Sequence, residues 1–198
     1  MDAADDADLA DLALRTRAEL SGPADEELHL LLTAADATDD PDALAVVLTE
    51  PRHPLWAREI AAYRLGCAGD RRAFESLVLL LNHRDPERCV CSAHALKRLG
   101  DPRTASAAAA LATNELRVAY ALVPVRLLAA LRAPESVPAL ITVLSRRLTP
   151  RDPHWRVALA CIEGLGALAD ERARPVLEAA RAHPRLSAAA AAALGRLP

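Results

Sequence analysis

Cys89, Cys91 and His94 come nearest in type to a metal site, since thiolate and imidazole are ligands that zinc prefers. Their spacing does not suit it. On a helix Cys91 and His94 share a face, while Cys89 points largely elsewhere. A structural zinc wants four converging ligands, typically in paired Cys-x-x-Cys spacing, and no fourth is evident. The cysteines therefore read as core packing, and no metal is expected. The six histidines (His29, His53, His83, His94, His154, His183) and the serines stand in no catalytic motif. No Gly-rich phosphate loop, Walker-type sequence or G-x-S-x-G elbow is present. The expected set of catalytic residues, and of cofactors, is none. Trp56 and Trp155 would suit an aromatic platform for a base or peptide. In a chain with two Trp, two Tyr and one Phe, filling space between helices is the simpler use, and Tyr63 and Tyr120 read the same way.

The elements that must position these residues are helices. Of 198 residues, 52% are hydrophobic, 26% charged and only 3% aromatic, so the chain can bury a core but lacks the aromatic content of β-sandwiches and barrels. Ala, Leu and Arg dominate, the best helix formers. No apolar run reaches the roughly 18 residues of a membrane span. The start, Met1-Asp2-Ala3-Ala4-Asp5-Asp6, is acidic where an export signal is basic. Four cysteines without a disulfide framework fit a reducing compartment, so a cytoplasmic protein is expected. The net charge of −3 hides an asymmetry: residues 1–50 carry fourteen acidic side chains against Arg15 and Arg17, and the remainder is strongly basic. Such a split marks contact with acidic protein or nucleic acid, or simply a solvated entry segment.

Punctuation recurs along the chain. Asp40-Pro41, Asp85-Pro86, Asp101-Pro102 and Asp152-Pro153 pair a capping carboxylate with Pro at the first helical position. Asp70, Asn114 and Asp170 cap without Pro. Leu65-Gly66, Leu99-Gly100, Leu165-Gly166 and Leu194-Gly195 read as helix ends. These marks predict five helix pairs, with first helices starting near 41, 71, 102, 134 and 171 and second helices near 54, 86, 115, 153 and 184. A single pair cannot bury its own apolar stripe, so pairs must stack. Residues 3–20 and 24–37 predict an acidic pair capping the N-terminal end. The expected organisation is capping helices over 1–40 and one continuous repeat domain over 41–198. The final helix, with Ala188 through Ala193 uncharged, suggests self-association.

The fourth pair carries Val137-Pro138-Ala139-Leu140-Ile141, Asp152, Trp155-Arg156-Val157-Ala158 and Leu165-Gly166, and the first holds Arg58, Ala61, Ala62, Leu65 and Gly66 in register. This pattern resembles the HEAT-repeat family, in its short bacterial form, over residues 41–197. The second pair departs from it with Ser92 in place of the Arg. The third has Pro124 there and Arg132 for Gly, which predicts a kinked second helix. The resemblance implies an all-α, right-handed α-solenoid whose second helices line a concave binding face. It makes Arg58, Glu59, Tyr63, Lys97, Arg126, Trp155, Arg156 and Glu163 the candidate partner-binding residues. It also allows Arg58 and Arg156 a structural role, pairing with turn acids such as Asp152. No His is followed by Glu, so the His-Glu pairs of the di-iron HEAT hydroxylases are missing.

The leading expectation is a non-enzymatic scaffold that binds an acidic or mixed-charge protein on its basic second-helix face, with no membrane contact. The alternative is nucleic-acid binding, in the manner of the HEAT-like alkylpurine DNA glycosylases, with Trp155, Arg156 and Glu163 as the analogous residue types. A tailoring subunit resembling bilin lyases ranks last, because no residue singles out a tetrapyrrole. An acidic segment folded back on the basic body would make residues 1–40 autoinhibitory.

Overall fold

The computed structural model describes residues 40–198, and every regular element among them is helical. The expected capping helices at 3–20 and 24–37, and any autoinhibitory role for them, lie outside the described residues. The chain divides into two compact units, Met1–Asp101 and Pro102–Pro198.

In the first unit, α1 (Pro41–Thr49), α2 (Leu55–Cys67), α3 (Phe74–Leu81) and α4 (Pro86–Leu99) follow one another closely. Asp40 starts α1 as its sequence promises, its carboxylate accepting the Asp42 amide at 3.0 Å with Pro41 in the first turn. Asp70 caps the 3-10 turn Arg71–Ala73 in the same way, through the Arg72 amide. α1 packs on α2, and α3 on α4, while α2 also meets α3 and α4. Ile60, Leu65, Leu77, Leu81 and Leu96 are fully buried between them, each contributing roughly 1.5–3 kcal/mol by leaving water.

The second unit contains α5 (Arg103–Thr113), a 3-10 segment Glu115–Tyr120, α6 (Leu122–Leu131), α7 (Ser136–Arg146), α8 (Trp155–Leu168), a 3-10 turn Glu171–Ala173, α9 (Arg174–Ala180) and α10 (Ser187–Leu194). Contacts skip one helix at a time. α7 touches α5 and α9, and α8 touches α6 and α10, while α5–α6, α7–α8 and α9–α10 pack as couples. The odd-numbered helices thus form one layer and the even-numbered helices a second. α6 and α8 run parallel: Gly164 of α8 faces Ala129 of α6, and three residues further along both helices the Arg132 guanidinium donates to the Ala167 carbonyl at 3.0 Å.

Two sequence expectations are corrected. Leu65-Gly66 and Leu165-Gly166 do not end their helices: α2 continues to Cys67 and α8 to Leu168. These glycines instead let backbones approach. A Cβ on Gly66 would lie 2.6 Å from Leu77 Cδ1, and one on Gly166 would lie 2.9 Å from Ala193 Cβ. The left-handed closing residues come three positions later, at Gly69 and Ala169, while Gly100 at the end of α4 has the φ of +65° expected of a closing glycine. The second helix of the third pair starts near 122 rather than 115. Pro124 then falls in its first turn, where the missing N–H has no intrahelical acceptor to lose. Residues 115–120 make a separate 3-10 segment broken by a non-helical Arg117, so one expected kinked helix is two elements.

Candidate functional site

The polar groups of the first unit converge between α2, α3 and α4. Glu59 is 4% exposed, and its Oε2 accepts from Arg88 Nε at 3.2 Å. Asp85 lies 3.8 Å from the same nitrogen. Tyr63, 1% exposed, stacks on His94 with ring centroids 6.1 Å apart. Glu59, Tyr63 and Arg88, with Leu77, Leu80, Cys91 and Ser92, line a cavity of about 10 Å³. That is room for one ordered water and too little for a substrate, since ligand pockets run to roughly 300–1,000 Å³. Its nucleophile candidate is engaged, because the Ser92 hydroxyl donates to the Leu77 carbonyl. The cluster is a packed polar core.

The cysteine cluster behaves as packing. Cys89 Sγ donates to the His83 carbonyl at 3.2 Å, Cys91 lines the pocket and His94 lies against Tyr63. Among the described residues no three His, Cys, Asp or Glu side chains come together as a metal site. Burial pushes the Cys161 thiol up to about 12, leaving it protonated and inert at neutral pH.

The candidate partner-binding residues therefore separate into two groups. Glu59 and Tyr63 were expected on an open helix face but are core: α2 is buried from Trp56 to Gly66 at every position except Arg58. Arg58 is half-buried. Lys97, Arg126, Arg156 and Glu163 are exposed. Arg126 and Glu163, on α6 and α8, make no ion pair among the described residues. Glu163 sits eight residues from Trp155, about 12 Å along the helix axis, so the two do not form one compact site.

Arg156 does not pair with Asp152, the structural role open to it from sequence. Asp152 is taken by Arg147 Nη1 at 3.2 Å and by the His154 amide at 2.7 Å. The Arg156 guanidinium instead lies over the half-buried Trp155 ring, 5.1 Å from its centroid, and the Arg185 guanidinium lies over the same ring at 5.7 Å. Arg185 was not singled out in sequence. It reaches Trp155 only because α10 stacks beside α8, and nothing local separates it from the many other arginines of the chain.

Several other arginines are held by acids. Arg146 and Arg147 both hold Glu115, Arg172 holds Asp170 at 2.7 Å, Arg174 holds Glu171, and Arg72 bridges Asp70 and Asp42. The Arg172 side chain pulls the Asp170 carboxyl down to about 2, and Arg174 lowers that of Glu171. No helix among the described residues is long and apolar enough to cross a membrane. The chain matches no protein-family model and no curated protein.

Proposed function

We propose that each unit is a stretch of HEAT-like right-handed solenoid and that the chain is a non-enzymatic scaffold, binding an acidic protein partner on its second-helix layer. The alternating contacts of α5 to α10 support the repeat reading: first helices touch first helices, second helices touch second helices, and each couple is joined by six to eight residues. The observation that carries the function is that Arg126 and Arg156 stand exposed on α6 and α8 with no carboxylate among the described residues to hold them. Acids hold the arginines at the end of α7 and around the start of α9, whereas α6 and α8 present Arg126, Arg156 and Glu163 to solvent without an ion pair. A structural Arg finds its carboxylate within the chain; a recognising Arg is kept for a partner. The reactive side chains are engaged in packing, which favours binding over turnover.

The test places a photo-crosslinking residue at position 126 or 163, on the second-helix layer, and at 142 or 178, on the first. Capture of one protein species from cell extract at 126 and 163, and its absence at 142 and 178, is the expected result. Equal capture at all four positions, or capture only at 142 and 178, contradicts it.

A further inference from the structure

We infer that Arg156 and Arg185, laid on the Trp155 indole, form a carboxylate clamp that recognises an acidic peptide segment of the partner; this rests on the second-helix layer being the binding face. Both guanidinium carbons lie within the roughly 6 Å at which a ring's negative face attracts a cation. Two like charges drawn to one indole, with no carboxylate on either among the described residues, leave a concentration of positive charge that an anion relieves. The acid nearest in sequence, Asp152, is committed to Arg147 and the His154 amide.

The geometry suits recognition in a second way. Held over the ring, each guanidinium still offers N–H donors for bidentate bonds to a carboxylate. Resting on the indole also restricts its rotamers before the ligand arrives, so less entropy is lost on binding. The same contact selects the ligand class. A nucleobase needs a free aromatic face to stack on, and here two guanidiniums of the chain lie over the half-buried indole. Neighbouring Glu or Asp side chains of a peptide need only the outward edges of the two forks.

The experiment uses the full chain, a fluorescently labelled decaglutamate peptide and a labelled decathymidylate, with affinity read by anisotropy and the tryptophan environment by intrinsic fluorescence. Wild type is expected to bind the peptide more tightly than the oligonucleotide and to change its tryptophan emission on binding. The R156Q/R185Q double variant, both sites being exposed, keeps its helical circular dichroism and loses at least about tenfold in peptide affinity, as for lost charge-assisted bonds. R156K/R185K keeps the charge but loses the planar forks, and recovers only part of that affinity. Full recovery by lysine, or tighter binding of the oligonucleotide, overturns the carboxylate clamp. Unchanged peptide affinity in R156Q/R185Q with a loss in R126Q also overturns the clamp but leaves the binding face standing. Failure of wild type to bind either probe overturns the clamp, and the crosslinking experiment then decides the face independently.

Discussion

Glu59 illustrates how a charged side chain of a second helix can be structural. Its carboxylate is buried against Arg88, and removing one member of such a pair strands the other charge. E59Q is expected to cost roughly 3 kcal/mol in urea denaturation, at the low end of the range for a broken buried pair because Asp85 remains 3.8 Å from Arg88. It is expected to leave acidic-peptide affinity unchanged. A loss of peptide binding in a folded E59Q protein would return Glu59 to the binding face. Its type and position gave no warning of burial, because helix periodicity reveals which face is apolar but not that α1, α3 and α4 all pack on α2. Arg126 and Glu163 were legible for the opposite reason, since their helices keep one face open. The Arg185 contact was not, because it depends on which helix stacks next to α8.

At the level of elements, capping chemistry was readable in the sequence and helix closure less so. Asp40, Asp70, Asn114, Asp152 and Asp170 all accept the backbone amide two residues on, because a short polar side chain at those positions reaches the unpaired amides of the first turn. The Leu-Gly dipeptides misled because small size serves close helix approach as well as a left-handed turn. Two substitutions separate these uses. G166A inserts a methyl 2.9 Å from Ala193 Cβ and is expected to destabilise by about 1–2 kcal/mol despite the helix propensity of Ala. A169G relieves a residue at φ +52° and is expected to stabilise by about 0.5–1 kcal/mol. Thermal unfolding of the two variants in opposite directions is the predicted outcome. A stabilised G166A would mean that α8 and α10 do not approach as described.

For the molecule as a whole, ion pairs in the turns set the response to acid. Asp170 has its carboxyl lowered to about 2, and those of Asp70 and Glu171 are lowered as well, each chiefly by a hydrogen bond from a nearby Arg. A carboxyl held below its unfolded value, about 3.9 for Asp, adds stability that is complete above that value and lost as pH falls through the folded one. Stability is therefore expected to be flat near neutrality and to decline between about pH 5 and pH 2, and D170N is expected to flatten that decline. Equal acid sensitivity in D170N and wild type would remove the Arg172 pair from the account. The all-helical fold was legible in composition and in the capping residues, while the identity of the partner was not, since folds constrain shape more than ligand. The most direct test of recognition by the second-helix layer is the pattern of amide chemical-shift changes when decaglutamate is titrated into the isotopically labelled 21.1 kDa protein. Changes are expected to concentrate in residues 122–131, 155–163 and 183–187. Changes confined to 136–146 and 174–180, on the first-helix layer, would contradict that recognition.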